Sequence, residues 1–288
     1  MKVFEKALMA LFLLMYISSA IAADTLKINL TYKHRLDKEG RTQGYITVSQ
    51  KFYTPEQQLF REIRYNEQSG QIADYTFYFY TDGKLFTEEC YSQNDSLMYI
   101  LKHGYDAAGR EKEVVRLEPR YGGLEATGKT VNSYDKAGKL HQQKIYFGKK
   151  AGSIISYVYN KDGNLQSENR KFKAISKQNL KAENRSFSYG ADKKLEIVSV
   201  TGKDLSGKSF QRAEAYSYND KGNVSSVSIT GNDLPDGLVK TYKYLGSGMI
   251  SLYEESNTAG KYSLILQYDY KKHYMDRGTQ VSYFATGK

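Results

Sequence analysis

Through much of the chain apolar and polar side chains alternate with a period of two. Tyr78, Tyr157, Phe187, Tyr216 and Tyr242 each stand two residues ahead of another tyrosine, and the residue between is often small or charged, as at Ser188, Ser217 and Lys243. This alternation sets the aromatics on one face of a strand and the polar residues on the other. No segment of the exported part keeps a helical period over a window of about eleven residues. The pattern predicts an all-β fold.

The strands recur in register. A motif of Tyr, Asp or Asn, two variable residues, Gly, one variable residue and an aliphatic occurs at Tyr134–Leu140, Tyr159–Leu165 and Tyr218–Val224. Tyr105-Asp106-Ala107-Ala108-Gly109 keeps the first half, with Glu111 where the aliphatic belongs, and Tyr80–Leu85 is one residue shorter. Tyr189–Leu195 lacks the glycine and Tyr244–Ile250 lacks the acid; Tyr65-Asn66 and Tyr268-Asp269 read as worn copies at the two ends. From Tyr80 onward these tyrosines are 24 to 30 residues apart, which marks a true repeat.

Each copy reads as a hairpin tip. Asp106, Asp135, Asn160 and Asn219 are placed to bond the backbone two residues on and start a turn. Gly109, Gly138, Gly163 and Gly222 supply the positive φ that closes it. Further turn signals lie between the tips, at 148–152, 204–207, 232–237 and 257–260. Two strands per repeat predict an antiparallel up-and-down meander of hairpins forming a curved, twisted sheet, partly closed.

The motif resembles the YD repeats of Rhs and teneurin-type proteins, and the resemblance covers roughly residues 65–270. In that family the repeats build a spiralling sheet that wraps into a shell, and the proteins act outside the cytoplasm. The chain shows no segment resembling the family's core motif or an added effector domain, so the resemblance implies an exported repeat protein without toxin delivery. Eight or so hairpins are few for a closed shell and favour an open curved sheet or a small barrel.

The start of the chain points to export. Lys2 and Lys6 precede an apolar run from Ala7 to Ile17, and Ala20-Ile21-Ala22 forms an A-x-A signal. The expected organisation is a signal peptide over residues 1–22, cleaved between Ala22 and Ala23, then one β-repeat domain over 23–288. Later residues hold no second apolar stretch, so no transmembrane helix is expected. Twenty-seven Tyr and twelve Phe exclude intrinsic disorder, and a lone cysteine, Cys90, excludes a disulfide framework. Cys90 reads as a small buried hydrophobe. The exported part carries 40 basic against 31 acidic residues, net +9. These charges are spread along the chain with no basic run longer than a dipeptide, so they read as solubilising, and nucleic acid is not a favoured partner.

Candidate chemistry is sparse. The four histidines, at 34, 103, 141 and 273, have no metal-ligand spacing, and His103 stands in an aromatic position of its repeat. Neither a nucleophile elbow nor a phosphate-binding loop occurs. Glu88-Glu89 and Glu254-Glu255 each offer one member of a glycosidase pair, but neighbours on a strand face opposite ways. No catalytic residue, metal or cofactor is expected. The repeated Tyr78, Tyr157, Tyr216 and Tyr242 are the candidate ligand-binding residues, because aromatic rings on a sheet stack on sugars. The leading expectation is a non-catalytic envelope or surface scaffold that binds an envelope glycan or another envelope protein. An envelope glycoside hydrolase and an outer-membrane β-barrel are the alternatives.

Overall fold

The computed structural model describes residues 25–173 and 180–274; the candidate cleavage site at Ala22 and Ala23 lies outside them. The described chain is strands and turns alone. In order the strands are β1 (Thr25–Leu36), β2 (Thr42–Tyr53), β3 (Leu59–Tyr65), β4 (Ile72–Thr81), β5 (Lys84–Ser92), β6 (Leu97–Tyr105), β7 (Glu111–Arg120), β8 (Gly123–Tyr134) and β9 (Leu140–Phe147). They continue as β10 (Lys150–Tyr159), β11 (Leu165–Phe172), β12 (Leu180–Tyr189), β13 (Leu195–Asp204), β14 (Ser209–Tyr218), β15 (Val224–Gly231), β16 (Leu234–Tyr244), β17 (Ile250–Ser256) and β18 (Tyr262–Tyr274).

Each strand pairs antiparallel with the next, as the meander requires. The sheet then closes, because β1 pairs with β18 from Thr25 opposite Tyr274 to Lys33 opposite Leu266. The result is an 18-stranded up-and-down barrel. Closure leaves no unpaired edge among the described strands, so of the open curved sheet and the barrel that the sequence allows, it is the barrel that forms. What repeat counting misses is β1 and β2: they carry no clear copy of the motif, yet they fill the gap.

The motif tyrosines all stand beside turns at one end of the barrel, the tip end. There Asp106 Oδ1 accepts the backbone N–H groups of Ala108 and Arg110, each at 2.9 Å. Asp135 Oδ1 accepts that of Lys139 at 2.8 Å, and Asn160 and Asn219 each accept two. Gly138 and Gly222 hold φ of 81° and 79°, a region open to glycine at no steric cost; Gly109 and Gly163 match them. Where the motif fades, the backbone keeps the turn with other residues. Gly190 and Lys193 (φ 63°) make the β12–β13 turn with the same backbone bonds.

One copy escapes the sequence reading. Tyr53 leads the β2–β3 turn, where Thr54 takes the place of Asp and Gln57, at φ 67°, that of Gly. Tyr65-Asn66 is no worn copy of this tip: it begins the β3–β4 turn at the opposite end, called here the far end. In β18 the register falls on Tyr270, not on Tyr268.

That register is set by a recurring bond. The hydroxyls of Tyr105, Tyr134, Tyr159, Tyr189, Tyr218, Tyr244 and Tyr270 donate to the backbone carbonyls of Leu85, Glu111, Leu140, Leu165, Leu195, Val224 and Ile250, at 2.7–2.9 Å. Each acceptor stands at the start of the preceding hairpin's second strand. The motif tyrosine therefore stitches one repeat to the one before. The residue ahead of the acceptor reinforces it: Lys84, Arg110, Lys139 and Lys194 lie over the rings of Tyr105, Tyr134, Tyr159 and Tyr218 at 4.5–5.3 Å.

Two cores flank the ring. Val198, Val200 and Phe210 are buried on the tyrosine face of β13 and β14, where a Cβ on Gly202 would sit 2.3 Å from the Phe210 ring. Only glycine lets that ring lie flat on the strand. On the opposite face, Ile28, Leu30, Phe52 and Ile63 form the second core, with Tyr32, Phe60, Tyr65, Ile72 and Tyr75 packed around them.

Candidate functional site

Residues paired directly across neighbouring strands share a face, so the register carries one face round the ring. Tyr78, Tyr157, Tyr216 and Tyr242 all stand on the face of the motif tyrosines, half-buried. The fold brings two of them together. Tyr216 and Tyr242 line a cleft of about 440 Å³ with Tyr244, Arg185, Glu214 and Lys240, over a floor of Val227, Ile229 and Ile250. Tyr78 and Tyr157 lie outside it.

The alternation that gathers the rings also gathers charge. Arg185 bridges Glu183 at 3.0 Å and Glu214 at 3.1 Å, Arg170 pairs with Glu168 and lies 3.7 Å from Glu183. The Tyr216 hydroxyl donates to Glu214 at 3.1 Å. Burial, with the Glu214 charge behind it, pushes the Tyr216 phenol up to about 12. Beyond the cleft Lys240 faces Glu255 at 3.8 Å, and Tyr253 donates to the same carboxylate. Glu168 and Glu183 are buried, where a partner guanidinium offsets part of the cost of leaving water.

A second cluster lies across the ring. His103 is 8% exposed, with Nε2 3.0 Å from Glu88 and Nδ1 2.7 Å from Glu111. The Glu88 contact raises the imidazole above its ordinary value, burial opposes this, and Glu111 adds to it. Asn132 extends the chain by donating to the Glu111 carbonyl at 3.0 Å, and Gln143 donates to Asn132 at 3.0 Å. Near it the Tyr78 hydroxyl donates to Glu62 at 3.0 Å. His103 thus occupies the aromatic position that its repeat assigns, but as an ion-pair bridge across β5, β6 and β7.

The acidic dipeptides split as the strand period demands. Glu88 meets His103 on the tyrosine face, while Glu89 accepts from Tyr91 on the other. Glu254 bonds Thr241, and Glu255 faces Lys240. Cys90 is buried. Among the described residues no group of three or more His, Cys, Asp or Glu is arranged to hold a metal ion. The charged members of the cleft left no separate trace in the sequence. Arg185 and Glu214 look like ordinary strand charges until the register sets them on the face of the repeated aromatics, two residues from Phe187 and Tyr216.

No protein-family model matches the chain, and no curated protein does. Among solved structures it is similar to a porin-like protein from Bacteroides uniformis, 10% identical with a TM-score of 0.41, over 85% of this chain and 97% of that one. A porin-like protein from Bacteroides vulgatus is 12% identical with a TM-score of 0.35, over 74% and 94%. The TcdB2–TccC3 structure is 14% identical with a TM-score of 0.34, over 82% of this chain and 15% of that one.

Proposed function

We propose that the chain is an exported β-barrel of the cell envelope that stands in water and works as a binding scaffold. The β1–β18 seam favours the barrel among the sequence alternatives over an open sheet. The observation that carries the water-facing part is that β11–β15 present one almost wholly polar face and, on the other, paired charges beside the Val198, Val200 and Phe210 core. On one face β11–β15 present Ser167, Asn169, Lys171, Asn184, Ser186, Ser199, Thr201, Gln211, Ser217 and Ser228. On the other stand Glu168, Arg170, Glu183, Arg185 and Glu214. Turned outward, the serine, asparagine and lysine face offers lipid no apolar band, and the tyrosine face would carry its paired charges into the bilayer with its apolar residues. A lysine or arginine held at the bilayer midplane costs about 2–4 kcal/mol.

The cleft at Tyr216 and Tyr242 is the proposed ligand site, and its chemistry suits a saccharide. Rings present faces for sugar C–H groups, and the paired charges of Arg185, Glu214 and Lys240 take hydroxyls. Tyr242→Ala is expected to abolish binding to envelope glycans on an array, with Tyr78→Ala as the control that retains it. Equal binding by both variants overturns the site.

The specific observation that favours the second reading, an outer-membrane barrel, is closure itself with an even number of antiparallel strands. One extraction decides between the two. Release from envelopes without detergent, as a monodisperse species, supports the water-facing barrel. A strict requirement for detergent overturns it in favour of the membrane-embedded one.

A further inference from the structure

The widest break in the ladder among the described strands lies at the far end of β16. Gly231 pairs with Leu234 and Ile229 with Leu238, so Thr230 of β15 faces three residues, Pro235, Asp236 and Gly237. The pairing lets go for local reasons: Pro235 has no N–H to give, and Gly237 turns at φ 61°. The bulge is nevertheless pinned. Its Asp236 carbonyl accepts the backbone N–H of Thr258 at 3.1 Å and the Thr258 hydroxyl at 2.8 Å. A Cβ on Gly237 would sit 2.7 Å from the Thr258 methyl, so glycine is what lets the bulge meet the β17–β18 turn. That turn is held on its other side as well, where a Cβ on Gly40 of the β1–β2 turn would sit 2.8 Å from the Tyr262 carbonyl oxygen. Fixed bulges of this kind re-aim side chains beside functional sites.

Between the bulge and the β17–β18 turn lies a cavity of about 320 Å³. Leu234, Pro235, Leu238 and Tyr262 give it apolar walls, and Asp236 and Lys261 give it one charge of each sign. It shares no residue with the cleft at Tyr216 and Tyr242. Lys261 is fixed at its root by Asn257, whose Oδ1 accepts its backbone N–H at 2.8 Å. The neighbouring acid Asp233 is held by Arg212 at 3.0 Å, whereas Asp236 and Lys261 pair neither with each other nor with another described residue. Exposed lysines stand on turns at both ends, as at Lys136 and Lys161, and by themselves single out nothing. What is particular here is that opposite charges border one apolar cavity without closing on each other.

The volume falls at the small end of ligand sites, about 300–1,000 Å³, and suits a molecule of one residue's size. A simple anion would gain from Lys261 and be repelled by Asp236, and a simple cation the reverse. A zwitterion gains from both. We infer that this cavity binds a free apolar amino acid, its ammonium on Asp236, its carboxylate on Lys261 and its side chain against Leu234, Leu238 and Tyr262. The site rests neither on the cleft nor on its saccharide.

Titration calorimetry with L-leucine tests the inference. Leucine is expected to bind saturably at one site. N-acetyl-leucine, which lacks the ammonium, and leucine amide, which lacks the carboxylate, should each bind about tenfold more weakly or worse. Asp236→Asn should weaken leucine about tenfold without weakening N-acetyl-leucine, and Lys261→Gln should do so without weakening leucine amide. Lys136→Gln, at the tip end, should change none of the three. Asp236 and Lys261 are exposed, so circular dichroism should show folded variants, and the analogue series on the unaltered chain tests the charges without any substitution. No saturable binding of leucine, equal binding of the three molecules, or loss of leucine and N-acetyl-leucine alike in Asp236→Asn overturns the inference.

Discussion

A single phenol hydroxyl explains why tyrosine, and not phenylalanine, marks every clear repeat. The ring supplies strand packing, but the Tyr218 hydroxyl also satisfies the Leu195 carbonyl one hairpin back. Tyr218→Phe keeps the ring and leaves that acceptor short of a partner, at a cost of about 0.5–1.5 kcal/mol. A lowered urea midpoint with an unchanged slope is the expected result. Gly222→Ala places a side chain at φ 79° and should cost about 1 kcal/mol or more by the same measurement. His103 gives a pH signature. Its folded-state value is raised by Glu88 and then Glu111 against the pull of burial, so the folded protein holds the proton more tightly than the unfolded chain. The stabilisation is therefore complete below about 6.5, the ordinary histidine value, and drains away as pH rises through the raised folded value. Thermal melts of wild type and His103→Gln should differ most on the acidic side of that window and converge on the alkaline side. A gap that widens with rising pH contradicts the assignment.

At the scale of the hairpin, sequence and structure agree where a turn depends on side-chain chemistry and part where the backbone alone sustains it. Asp106, Asp135, Asn160 and Asn219 announce their turns because a short polar side chain and a glycine are the simplest means of closing one. The β2–β3 turn does the same with Thr54 and Gln57, residues too common to stand out. Tyr65-Asn66 misleads for the converse reason: turn chemistry recurs at both ends of a meander, and only strand length tells which end a turn occupies. Closure was the least legible step, since β1 meets β18 across nearly the whole chain and no local signal encodes that pairing. It can be checked directly. Thr31 and Tyr268 face each other across the seam, so Thr31→Cys with Tyr268→Cys should form a disulfide on mild oxidation, seen as a mobility shift on non-reducing gels. Buried Cys90 does not compete. Two free thiols after oxidation would mean an open seam.

For the whole molecule, the ring turns dispersed features into collective ones. Ordinary strand charges become a buried network beside a cleft, because each repeat sets its residues at the same height as its neighbours'. The same regularity makes the ring divisible. Joining Tyr134 to Asn160 by deleting residues 135–159 removes β9, β10 and two turns, and it places β8 before the β10–β11 turn in an unchanged relation of tyrosine to turn. Only the Tyr159–Leu140 stitch is lost; Tyr134 keeps Glu111 and Tyr189 keeps Leu165. Both core clusters lie elsewhere in the ring. Strand number falls by two, so the ring can still close antiparallel with a smaller circumference. The shortened protein is expected to fold as an all-β species with a smaller radius of gyration in solution scattering and a lower melting temperature, since the remaining repeats must tilt to close the narrower ring. An expanded or aggregated product would mean that the repeats are not interchangeable, and that closure rests on the particular pairing of β8 with β9 and β10 with β11 rather than on the stitch they share.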